Sequence, residues 1–130
     1  MRVLLLSYER CDQRQRLLPE GEMTMANFVL LYTGGNGPQS EAEVAASIKA
    51  WMDWFGSLGS AVVDGGNPFT PIAKSIASNG SVSDGPVGTL ATGYSIVKAD
   101  SLDAAVQMAK GCPQLQSGGQ ISVYETFPVM

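Results

Sequence analysis

The stretch Ser83-Asp84-Gly85-Pro86-Val87-Gly88 constrains this chain more than any other. Glycine frees the backbone, proline fixes φ and removes a donor, and an aspartate before them can accept from amides further on, so regular structure must stop here. The run from Gly93 to Asp103 that follows alternates like a strand and then opens like a helix. A tight turn therefore separates two extended segments, and the second leads into a helix. The remaining segments are placed around that frame.

Upstream, Phe28 to Tyr32 is a wholly apolar run, as expected of a central strand covered on both faces. Gly34-Gly35-Asn36-Gly37-Pro38 ends it. This glycine-rich loop lacks the Lys-Ser/Thr of a phosphate loop and the spacing of a dinucleotide fingerprint, so it reads as a flexible turn. Ser40 with Glu43 forms a capping box, and Val44, Ile48, Trp51, Phe55 and Leu58 then recur at helical spacing. Trp54 and Met52 widen that stripe, and Lys49 with Asp53 forms a weak pair one turn apart. Gly56 and Gly59 close the helix, and Ala61-Val62-Val63 begins a second strand that ends at Asp64-Gly65-Gly66-Asn67-Pro68. Asn79-Gly80 between Ser75–Ser78 and Ser81–Ser83 predicts a hairpin with a two-residue type I′ turn, placed at an edge. Ala91 to Lys98 is a third long strand with Tyr94, Ile96 and Lys98 on one face. Asp100 or Ser101 caps a second helix with a small-residue stripe, Gly111 suits a left-handed residue past its end, and Pro113 stops it. Ile121 to Phe127 is the last strand.

The first 24 residues differ in composition. All four arginines, Arg2, Arg10, Arg14 and Arg16, lie there, whereas the later positive charges are Lys49, Lys74, Lys98 and Lys110. The segment reads as a disordered extension or as sequence upstream of a natural start at Met25; an extra strand over Val3 to Tyr8 is the alternative. Its apolar core is too short for a signal peptide. No apolar run approaches the roughly 20 residues of a membrane span, which predicts a soluble, cytoplasmic protein. With a net charge of −4 and no basic stripe, nucleic acid is not an expected partner. Cys11 and Cys112, with no histidine in the chain, cannot build the usual zinc sites and read as free thiols, with no metal or cofactor expected.

At 130 residues and 45% hydrophobic content the chain suits one core. The order strand, helix, strand, hairpin, strand, helix, strand describes an α+β domain, a ferredoxin-like split βαβ with an inserted β-hairpin and both helices on one face of an antiparallel sheet. The other face would be a large apolar patch in a monomer, which predicts a homodimer through the sheet.

Asp84-Gly85-Pro86, the strand from Gly93-Tyr94 into Ala99-Asp100-Ser101-Leu102-Asp103-Ala104-Ala105, the ending Ala109-Lys110-Gly111-Cys112-Pro113 and the Gly-Gly before Val123-Tyr124-Glu125 together resemble the YCII-related proteins, in particular their DGPF-type branch. The resemblance covers nearly all of residues 25–130 and has no counterpart for the first 24. It implies a dimeric α+β barrel with a pocket between sheet and helices in each subunit. DGPF-type genes often neighbour sigma-factor genes, which by resemblance implies a regulatory partner. The chain departs from the histidine and aspartate dyad proposed for some members: it has no histidine, Cys112 precedes Pro113, and Val87 takes the fourth place of the DGPF motif.

Without histidine, proton transfer near neutral pH falls to a carboxylate, a lysine, or a perturbed cysteine or tyrosine, with Asp84, Asp64, Cys112 and Tyr94 as candidates. Haem held by an axial histidine is excluded. Cys112 follows a helix C-terminus, where the dipole disfavours a thiolate, so it reads as a buried inert thiol. The tryptophans read either as core or as a stacking surface for a flat ligand. Asp84 reads either as a turn-stabilising carboxylate or as a functional one. Two functions follow. One is a binding or regulatory dimer holding a small, partly apolar molecule against Tyr32, Trp51, Trp54 and Tyr94, with Asp84 at the mouth. The other is a cofactor-independent isomerase, lyase or monooxygenase using Asp84 as general acid/base.

Overall fold

The computed structural model describes residues 25–37 and 40–129. The expectations for the first 24 residues, for Cys11 and for Pro38 as a strand stop lie outside the described residues.

The apolar run after Met25 forms β1 (Ala26–Gly34), and its period of two sorts the side chains. Phe28, Leu30 and Tyr32 are buried on one face, while Val29, Leu31 and Thr33 on the other are half-buried. Ser40 then caps α1 (Glu41–Leu58) by accepting from the Glu43 amide at 3.1 Å. The helix runs through Gly56 and stops at Gly59, whose φ of 57° turns the chain. A 3-10 turn over Gly59–Ala61 delays β2 to Val62–Asp64, later than the alternation of Ala61-Val62-Val63 suggests.

Next come β3 (Lys74–Ile76) and β4 (Val82–Asp84), which pair with each other as a separate two-stranded sheet instead of extending an edge of the main one. Their turn corrects the type I′ expectation. Gly80 is left-handed at φ 91° but Asn79 is not: the Asn79 side chain accepts from the Ser81 amide at 3.0 Å, and the Gly80 amide donates to the Ala77 carbonyl at 2.8 Å, closing a turn that starts one residue earlier than expected. A single left-handed glycine after such a turn makes a three-residue loop, Ser78-Asn79-Gly80.

β5 (Ala91–Ala99) presents Gly93, Ser95, Val97 and Ala99 to the core and Tyr94, Ile96 and Lys98 to the opposite face. Ser101 caps α2 (Leu102–Ala109), accepting from Ala104 at 3.1 Å. Gly111 is not left-handed. The chain passes through Lys110 in helical geometry and starts a short α3 (Pro113–Gln116), with Pro113 at its first position. Proline thus begins a helix here besides ending one, as its fixed φ allows. β6 (Gly119–Glu125) is the last element among the described residues.

The main sheet is antiparallel, in the order β2-β5-β1-β6. Each strand-helix-strand unit is split by a strand of the other: β5 lies between β1 and β2, and β1 lies between β5 and β6. Phe28, Leu30, Tyr32, Val97 and Ala99 from the sheet meet Trp54 from α1, Ala105 and Ala109 from α2, and Cys112 in one core. Both long helices therefore cover the same face. No described element covers the face that carries Val29, Leu31 and Ile96, to which β6 adds Tyr124, 57% exposed. No helix among the described residues is long and apolar enough to cross a membrane.

Candidate functional site

A cleft of about 550 Å³ opens between α1 and the ends of the sheet strands, within the usual range for small-molecule sites. One wall is helical: Ile48, Trp51, Met52 and Phe55 recur along a single face of α1. Tyr32 meets the edge of Trp51 with ring centroids 5.2 Å apart, and Phe55 lies 5.9 Å beyond it, so an aromatic surface runs along this side. Ile48 is exposed on the cleft side of α1, whereas Val44, at the start of the apolar stripe, is exposed without lining the cleft.

The opposite wall is made of two loops with the same opening, Gly34-Gly35-Asn36 after β1 and Gly65-Gly66-Asn67 after β2. Neither is loose. Gln114 Nε2 on α3 donates to the Thr33 and Gly34 carbonyls, each at 3.0 Å, and the Asn36 amide donates to the Ser117 carbonyl at 2.9 Å. On the second loop the Gly66 amide donates to Asp64 Oδ1 at 2.8 Å, Ser95 Oγ donates to the Gly65 carbonyl at 2.7 Å, and Phe69 bonds to Thr92 at 2.8 Å. Gly66 sits at φ 74° against β5, where a Cβ would overlap the Tyr94 carbonyl oxygen. Only glycine permits that approach. The first loop, expected to be flexible, is thus fixed by α3, a helix its own sequence does not announce.

Of the residues singled out from sequence, Tyr32, Trp51 and Tyr94 line the cleft. Tyr94 also stacks on Phe69 at 5.8 Å, and its hydroxyl donates to Asp64 Oδ2 at 3.3 Å. Trp54 does not line it. Only 7% exposed, it donates from its indole nitrogen to the Met108 carbonyl at 3.1 Å and joins α1 to α2. Asp84 does not line it either. Its side chain is 91% exposed on the separate hairpin and paired with Lys74 at 2.5 Å. Gln114, Ser95 and the second Gly-Gly-Asn loop were not singled out as site residues; the repeated Gly-Gly-Asn marks that loop, whereas no local signal marks Gln114 or Ser95, which reach the loops from other elements.

Cys112 is a free thiol with no exposed surface. Burial pushes it up to about 11 and outweighs the Gln114 amide and Tyr32 hydroxyl that stabilise its thiolate. Burial likewise holds the Tyr32 phenol well above its ordinary value. Tyr32 donates to Ser95 Oγ at 2.7 Å, and Ser95 passes its own proton to the Gly65 carbonyl. No cluster of metal-ligating side chains occurs among the described residues. Fold and site together define an α+β sheet domain with a preformed, aromatic-walled cleft. No family model matches this chain, and no curated protein does.

Proposed function

We propose that the protein is a small-molecule-binding or regulatory module of the YCII-related, DGPF-type kind, acting as a homodimer, with the cleft as its ligand site. The observation that carries this reading is the cleft itself: an aromatic wall facing two hydrogen-bonded loops, open to solvent, with no Asp, Glu, Lys or Arg side chain on its lining among the described residues. Binding sites of this kind are largely preformed, apolar and set with a few polar groups. A proton-transfer enzyme needs an acid or base near its operating pH within reach of the substrate. Asp84, the residue expected in that role, is ion-paired on the hairpin, and Cys112 and Tyr32 are held protonated.

The split strand order supports a ferredoxin-like assignment, the arrangement on which a dimeric α+β barrel is built. The uncovered face of β1 and β5, with Val29, Leu31 and Ile96 in adjacent register, supplies the apolar surface that a second copy would bury. Native mass spectrometry of the full chain tests both parts. A dimer that carries a small-molecule mass from its expression host is expected, and Leu31→Glu is expected to yield monomers. A stable monomer from the unaltered chain overturns the dimer, and an empty cleft that no small molecule enters overturns the binding role.

A further inference from the structure

Two features of the cleft specify the chemistry of its ligand, given the binding reading above. The first is charge. None of the charged side chains among the described residues, from Glu41 to Glu125, lines the cleft. A charged ligand entering it would exchange part of its water for walls on which no described side chain supplies a counterion, which disfavours an unpaired ion. The second is a pair of amides. Asn36 and Asn67 occupy equivalent places in the two Gly-Gly-Asn loops, and both line the cleft. Their backbones are fixed, Asn36 through its amide to Ser117 and Asn67 through its carbonyl to Tyr94 at 3.4 Å. Neither side-chain amide has a hydrogen-bond partner among the described residues. Each therefore offers one acceptor and two donors from a backbone that does not need to be ordered on binding.

We infer that the cleft selects an uncharged, flat ligand whose ring system lies along Trp51 and Tyr32 and whose neutral carbonyl, amide or hydroxyl groups are held by Asn36 and Asn67. Anionic metabolites such as phosphates and carboxylic acids are rejected by the same walls. An amide recognises both donors and acceptors, so the pair reads the hydrogen-bonding edge of a ring and not a net charge.

Three naphthyl probes that differ in charge test this on the full chain: 2-naphthamide, 2-naphthoate and (2-naphthyl)methylammonium, followed through the Trp51 indole NH signal by NMR. Naphthamide is expected to bind about tenfold more tightly than either ion, since only the ions lose hydration without compensation. Asn36→Ala and Asn67→Ala are each expected to weaken naphthamide by about three- to tenfold, the loss of one neutral hydrogen bond. Asn36→Asp keeps the shape and is expected to raise the affinity of the ammonium probe by about threefold at low salt. Naphthoate bound as tightly as naphthamide, or naphthamide indifferent to both alanine changes, overturns the inferred ligand class while leaving a binding site in place. Failure of all three probes to shift Trp51 overturns the binding reading itself.

Discussion

The Tyr32 hydroxyl reaches Ser95 Oγ at 2.7 Å as a diagonal neighbour on the core face of two paired strands, although 63 positions separate them in the chain. Ser95 is fully buried and is the one polar residue among the most buried side chains, tolerated because it also donates to the Gly65 carbonyl at 2.7 Å. A core hydrogen-bond pair thus ends on a loop of the cleft, and the stability of the sheet and the shape of the site share one relay.

Removing the middle of that relay costs more than removing its end. Ser95→Ala leaves the Tyr32 hydroxyl and the Gly65 carbonyl each short of a partner, for about 2–3 kcal/mol, whereas Tyr32→Phe keeps the Ser95 to Gly65 bond and costs about 1 kcal/mol. Urea denaturation of the two variants ranks them. A larger loss in Tyr32→Phe would mean that its contact with Cys112 outweighs the relay.

The two tryptophans divide by task. Trp54 fills the core and bonds Met108, so Trp54→Ala is expected to lose about 3–5 kcal/mol, a large share of the roughly 5–15 kcal/mol by which domains of ordinary stability stay folded. Trp51, half-buried beside Tyr32, is expected to cost less in stability and more in probe binding. Thermal melts paired with naphthamide titration separate the effects, and equal losses of stability from the two changes would contradict the division.

Alkaline pH acts through the buried thiol. Cys112 keeps its proton in the folded state up to about 11, against an ordinary 9.0, so between those values the unfolded chain has released a proton that the native protein retains. Its contribution is complete below pH 9 and is lost as pH rises towards 11, a decline on the order of 2 kcal/mol. Tyr32, shifted upward by the same burial, extends the decline to higher pH. Urea midpoints at pH 7, 9 and 10.5 are expected to fall, and Cys112→Ala to fall less steeply; an unchanged slope in that variant would remove the thiol as the cause.

Much of the fold was legible because its signals are local. Ser40 announces the start of α1 and the pair Asp100-Ser101 that of α2, where Ser101 is the cap, and the alternation in β1 and β5 sorts their faces correctly. The features that were not legible depend on distant partners. Trp54 and Trp51 share one helix stripe, and only the position of α2, with the Met108 carbonyl, sends one to the core and leaves the other at the cleft. Asp84, beside its glycine and proline, reads from sequence either as a turn-stabilising or as a functional carboxylate, and the Lys74 that strand pairing places directly opposite it is not announced by that motif. The second cleft loop is defined by the approach of Gly66 to β5, across a sheet contact that no spacing within either segment encodes.

Two left-handed glycines test that last contact. At Gly80, φ is 91° and nothing lies within 4 Å of an added Cβ, so Gly80→Ala is expected to cost only the backbone penalty of about 1–2 kcal/mol. At Gly66, φ is 74° and the same Cβ would overlap the Tyr94 carbonyl oxygen, so the loop must leave β5 and give up the bonds from Ser95 and to Asp64. Gly66→Ala is therefore expected to lose clearly more stability than Gly80→Ala and, alone of the two, to abolish probe binding. Equal stability losses with binding retained in both would show that the cleft does not depend on this loop's seat against the sheet.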